Sequence, residues 1–102
     1  MKAVLAAVAA VGVLLASGAQ AQENKAQAAG CMTCHGIDKK IVGPAYKDVA
    51  AKYRNDKGAE AKLFTKVKNG GKGVWGDVPM PPNAHVKDED IKGIVHWILG
   101  LK

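Results

Sequence analysis

Five consecutive residues, Cys31-Met32-Thr33-Cys34-His35, constrain this chain more than any other feature. Two cysteines separated by two residues, with a histidine directly after the second, read as an attachment site for a c-type haem. The spacing has a chemical reason. Each thiol adds across one haem vinyl group to form a thioether, and one helical turn holds the two sulfurs at about the vinyl separation. His35 follows at once on the same side and can reach the iron as a proximal imidazole ligand. Other readings of the pair compete. A disulfide is open to any exported chain, and a thiol-redox site of the thioredoxin kind uses the same cysteine spacing. Against the latter, strand signals are nearly absent and no βαβ pattern appears. A zinc site needs further Cys or His at a regular spacing, which His85 and His96 do not supply.

The context is that of export. Lys2 precedes an almost unbroken run of Ala, Val and Leu from Ala3 to Leu15, and Ala19-Gln20-Ala21 offers small residues at the positions a signal peptidase reads. This predicts a secretory signal peptide over residues 1–21, cleaved after Ala21, with residues 22–102 as one mature domain exported to the periplasm. The apolar run is short of the roughly 20 residues a bilayer span needs, so no stable membrane insertion of the mature protein is expected. A domain this small builds only a marginal core and needs a disulfide, a metal or a cofactor as a staple. Both cysteines lie in the five-residue stretch. One covalently bound haem is therefore the expected staple.

The remaining pattern is helical. Gln22 to Ala29 is polar and alanine-rich, with Asn24 as its candidate N-cap, and Gly30 allows a turn close to the haem. Pro44 fits the first position of a helix over Ala45–Arg54, in which Tyr46, Val49, Ala50 and Tyr53 recur at helical spacing. A third helix over about Ala59–Lys68 carries Leu63, Phe64 and Val67 on one face, and Asn69-Gly70-Gly71 stops it. Asp88 is the candidate cap of a last helix whose Ile91, Ile94, Val95, Ile98 and Leu99 form a buried stripe. The expected architecture is all-α, with about four short helices around one haem.

Between the third and fourth helices, residues 70–86 hold four glycines, three of the four prolines and Trp75. A loop of this length in a small domain is usually functional. Here it would cover the second haem face and present a sixth ligand. Met32 lies between the anchoring cysteines and cannot reach across the ring. His96 sits within the last helix. Met80 is flanked by Pro79, Pro81 and Pro82, which fix the backbone and mount a flexible thioether on a stiff loop. His85 is the competitor in the same loop, and a simple hydrophobic plug is the other reading of Met80. Met/His ligation stabilises ferrous iron and raises the potential. It also closes both iron faces, so the expectation is electron transfer and no catalytic turnover.

These residues resemble the small class I bacterial cytochromes c, specifically the cytochrome c-551/c-552 group. The resemblance rests on Cys31–His35, on Val42-Gly43-Pro44-Ala45-Tyr46-Lys47-Asp48-Val49-Ala50, and on Gly73-Val74-Trp75-Gly76 leading into Val78-Pro79-Met80-Pro81-Pro82-Asn83. It covers essentially the whole mature segment and implies the class I cytochrome c fold. It further implies that the Pro44 carbonyl accepts the His35 N–H, that Trp75 donates to a haem propionate, that Lys66 lies near a propionate, and that Asn83 approaches the Met80 sulfur. The bland reading of Trp75 is a core tryptophan. Relatives serve nitrite reductases, cytochrome oxidases or peroxidases and draw electrons from a cytochrome bc complex or another donor. One departure stands out: Asn83-Ala84-His85-Val86 is a residue longer, with its histidine, than in several relatives.

Lys and Arg together number 15 against nine acids, a formal net charge of +6. Lys39, Lys40, Lys66, Lys68 and Lys72 flank the haem-bearing segments. They are candidates for steering acidic partners, with ordinary solubilising charge as the alternative. Nucleic acid is not expected as a partner, given the predicted export and the scatter of the lysines along the chain. Redox encounters are small and transient, so a monomer is expected.

Overall fold

The computed structural model describes residues 18–102 apart from residue 77. The predicted signal peptide lies outside the described residues up to residue 17, and its last residues enter the first helix. Four α-helices and one short turn make up the regular structure of the described residues. These are α1 over residues 18–28, a 3-10 turn over Cys31–Thr33, α2 over Tyr46–Lys52, α3 over Ala59–Asn69 and α4 over Asp88–Leu99. Among the described residues, backbone pairing of the strand kind is limited to two isolated antiparallel bridges, His35 with Lys40 and Gly71 with Met80. The all-α architecture is the expected one. Among the described residues no helix is long and apolar enough to cross a membrane.

α4 is the element the others pack on. Its first turn carries Asp88, Glu89 and Asp90, where the helix dipole favours negative charge. Ile91, Ile94, Val95 and Ile98 are buried as a stripe, and Leu99 at its edge is half-buried. α2 and α3 both pack against it, and Ala26 of α1 joins Tyr46, Val49, Ile94 and Ile98 in one cluster. α1 approaches α4 closely at Gly93. A Cβ added there would lie 2.6 Å from the Gln22 side-chain oxygen.

Three expected helix starts differ from those observed. Asn24 lies inside α1, because the helix already runs in from residue 18. Asp88 is the first helical residue and Lys87 the extended cap before it; the Asp88 carboxylate instead accepts from Lys68 Nζ at 2.7 Å and ties α4 to α3. α2 begins at Tyr46 with Ala45 as its extended cap, so Pro44 stands outside the helix and its carbonyl is free for another donor. The stop after α3 is as expected, with Gly70 at φ 77° following Asn69.

Ile91 is fully buried, so its truncation gauges how far the helices depend on α4. Replacing Ile91 by Ala should cost about 2–5 kcal/mol, the usual range for losing this volume from a packed core. A denaturant titration checks it. A change below about 1 kcal/mol would mean that the site collapses around the smaller side chain.

Candidate haem site

The turn over Cys31–Thr33 opens at Gly30, whose φ of 87° is left-handed backbone and suits glycine. The amides of Cys34 and His35 both donate to the Cys31 carbonyl, at 3.2 and 3.0 Å. This compact turn projects His35 toward the start of α2. Both cysteines are free and half-buried. Burial pushes the Cys31 thiol up, an effect the neighbouring Tyr46 hydroxyl only partly offsets. Burial also holds the Tyr46 phenol neutral, well above its usual range, with the Cys31 sulfur adding to the effect.

His35 is fixed on three sides. Its Nδ1 lies 2.7 Å from the Pro44 carbonyl oxygen. A carbonyl only accepts, so Nδ1 carries the proton and Nε2 keeps its lone pair for a metal. One ring face stacks on Tyr46, with centroids 4.9 Å apart and planes 19° from parallel. Gly43 also closes on the ring: a Cβ there would lie 2.5 Å from His35 Cε1. The resemblance implies the Pro44 contact, whereas the contacts of Gly43 and Tyr46 with the His35 ring are visible only in the structure. The glycine directly before Pro44 was the available signal.

Across the cleft, Met80 belongs to a strap fastened to the end of α3. Met80 and Gly71 exchange both backbone bonds, Gly71 N–H to the Met80 carbonyl at 3.0 Å and Met80 N–H to the Gly71 carbonyl at 2.7 Å. Asn83 adds a second fastening. Its backbone N–H and its side-chain Nδ2 both donate to the Val67 carbonyl, at 3.0 and 3.1 Å. Nδ2 also lies 3.2 Å from the Pro81 carbonyl. The resemblance directs Asn83 at the Met80 sulfur; here its amide hydrogens go to carbonyls of α3 and of the strap.

Between these walls lies a cleft of about 320 Å³. It is lined by Cys34, His35 and Pro44, by Pro79, Met80 and Pro81, and by apolar side chains that include Val49, Leu63, Val95 and Ile98. Lys66 lines it too, and Trp75 lies at its mouth, 43% exposed. His85 faces a separate groove with Lys25, Ala28 and Lys87. His96 is exposed and pairs with Glu60 at 2.7 Å, and Met32 packs against the core cluster. Of the four candidates for a sixth ligand, only Met80 lines the cleft. Of the candidate docking lysines, Lys40, Lys66 and Lys72 line it, whereas Lys68 is paired with Asp88.

The donor set suits haem. One imidazole nitrogen and one thioether sulfur share an apolar cleft, with a thiol on its wall, and a porphyrin is a flat, largely apolar body. A zinc site is not favoured, since no group of three or more His, Cys, Asp or Glu side chains among the described residues is placed to hold a metal ion.

Known proteins agree with this chemistry. The cytochrome c family model matches residues 19–102. Cytochrome c-551 of Allochromatium vinosum is 63% identical over 76 residues, covering 74% of this chain and 81% of that protein. Cytochrome c-551 of Pseudomonas aeruginosa is 52% identical over 95 residues, covering 91% of this chain and 90% of that protein. The crystal structure of wild-type Nitrosomonas europaea cytochrome c552 matches with a TM-score of 0.76 at 48% identity, covering 78% of this chain and 99% of that one. The chain belongs to the cytochromes c. Within them its relatives put it in the class I c-551/c-552 group. It is accordingly a mono-haem electron-transfer protein with covalently attached haem c and its iron, and not an enzyme. Members of this group act as electron carriers with redox partners.

Proposed function

We propose that the mature chain, residues 22–102, is a periplasmic one-electron shuttle whose haem iron is held between His35 and Met80. The observation that carries this reading is that both side chains line one apolar cleft, each fixed through backbone: His35 by the Pro44 carbonyl and Met80 by Gly71. Bound there, haem supplies a ferric/ferrous couple. The chain's own residues do the rest. Cys31 and Cys34 anchor the group through thioethers. The Pro44 carbonyl holds the His35 tautomer and raises the basicity of Nε2. The Met80 thioether favours the ferrous state, and the proline-framed strap keeps water and small ligands from the second face. Asn83 serves this face indirectly, by holding the strap to α3. Trp75, at the cleft mouth, is the proposed donor to a propionate, and Lys66 is the proposed cation near it.

Partner contact is assigned to the same mouth. Val42, Val74 and Val78 are exposed there, close to Lys40, Lys66 and Lys72. An apolar centre with a basic rim suits brief encounters with acidic redox partners. The proposed donor is of the cytochrome bc kind, and the proposed acceptor a nitrite reductase, an oxidase or a peroxidase. The carrier works as a monomer, after removal of residues 1–21.

The test is the optical spectrum of the purified mature protein, ferric and ferrous, with carbon monoxide added to the ferrous form. A c-type spectrum is expected, with the weak red band of a ferric iron–sulfur bond and no shift on adding carbon monoxide. Rapid carbon monoxide binding at neutral pH, without that band, would overturn the closed His35/Met80 reading.

A further inference from the structure

Trp75 sits on the part of the loop with the fewest ties to the body. Gly73 and Gly76 flank it at φ 101° and 119°, and a Cβ at either would meet nothing within 4 Å. Between Gly71 and Met80, the one backbone hydrogen bond among the described residues runs from Gly73 N–H to the Gly76 carbonyl, at 2.9 Å. Backbone alone therefore does not fix the indole. A side chain from elsewhere meets it instead. Lys52, in the last turn of α2, puts its Nζ 5.6 Å from the Trp75 ring centroid and 5.9 Å from that of Tyr53. Trp75 and Tyr53 both line the cleft, and Lys52 does not. The ammonium also sits at a helix C-terminus, where the dipole favours a cation, and it has no carboxylate partner among the described residues.

We propose that Lys52 is a positioning residue for the haem edge: its ammonium clamps the Trp75 indole across the cleft mouth, holding the N–H on the propionate and adding a positive charge beside the cofactor. The inference deepens the proposed function and rests on its reading of Trp75. Electrostatic attraction between a cation and an indole face is strongest for tryptophan and persists at exposed positions. The nearby charge favours the less positive, ferrous state, so the clamp couples loop order to reduction potential.

Two variants separate charge from packing. Lys52→Met keeps an unbranched apolar stem and loses the ammonium; Lys52→Arg keeps a cation able to stack on the indole. Two readouts apply to the ferrous holoprotein: hydrogen exchange of the Trp75 indole N–H by NMR, and the reduction potential at neutral pH. In the wild type the indole N–H should be protected. Lys52→Met should speed its exchange about two- to five-fold, the factor an exposed cation–π contact can carry, and lower the potential. Lys52→Arg should restore both. Protection unchanged in Lys52→Met would overturn the clamp and leave the propionate reading standing. An indole N–H already unprotected in the wild type would overturn that reading and the clamp with it. Failure of Lys52→Arg to rescue would show that the lysine acts through stem packing, and would also overturn the proposal.

Discussion

Replacing Met80 by Ala should convert a closed haem iron into an open one. With the thioether gone, no other candidate side chain lines the cleft on that side: His85 faces another groove and Met32 packs into the core. The weak red ferric band should disappear, and carbon monoxide should bind the ferrous protein rapidly. The reduction potential should fall, because the thioether's preference for ferrous iron is lost. A drop on the order of 100 mV or more is expected, within the roughly 0.8 V range that axial ligands command. Met80→His distinguishes closure from electronics. It should block carbon monoxide again while keeping the potential low. Retention of the red band in Met80→Ala would mean that another sulfur holds the iron, and would sink the assignment.

The second large effect comes from a residue that does not line the cleft. Gly70 adopts φ 77° and ψ −177°, a region that side chains other than glycine's essentially never occupy. A Cβ there would also lie 2.5 Å from the Met80 carbonyl oxygen and 2.9 Å from the Pro82 nitrogen. Both are backbone atoms of the strap and cannot rotate away. Backbone strain and overpacking each cost on the order of 1–3 kcal/mol. Gly70→Ala should therefore lose about 3 kcal/mol or more, lowering the thermal midpoint by about 4–8 °C for each kcal/mol in a domain of this size. It should also weaken the red band at moderate temperature, since the displaced atoms carry Met80. Gly73→Ala is the control. Gly73 shares a positive φ of 101° but has open space around its Cβ position, so it should show the strain alone and keep the red band. Equal effects from the two substitutions would show that strap displacement plays no part.

The parts of this architecture legible in the sequence are those where residue identity is itself the chemistry. Cys31, Cys34 and His35 specify an attachment site by spacing, and three prolines mark Met80 as mounted rather than merely packed. The stripe from Ile91 to Ile98 encodes a buried face without knowledge of its partners. What escaped is geometric. Gly43 acts by lacking a side chain beside the His35 ring, a role visible only once α2 folds back. His85 is five residues from Met80 in the chain, yet the strap turns it into a different groove. Lys68 counted as a docking charge until the approach of α4 placed Asp88 against it. Asn24 suits a cap only for a helix that starts near Gln22, whereas the helix already runs from residue 18.

The two walls of the cleft also have a consequence for the unfolded chain. His35 and Met80 come from opposite halves of residues 22–102. In the proposed His35/Met80 coordination, the iron of the anchored haem would close a loop of roughly 45 residues and so act as a cross-link. For as long as that bond held in the unfolded chain, the chain-entropy relation for such loops gives about 4 kcal/mol of lost freedom. Neither cysteine is then needed for a disulfide. Such a constraint would be reversible without a reductant, unlike a disulfide: each loss of the proposed Met80 bond would open the loop, so the contact proposed to set the potential would also govern how tightly the polypeptide is tied.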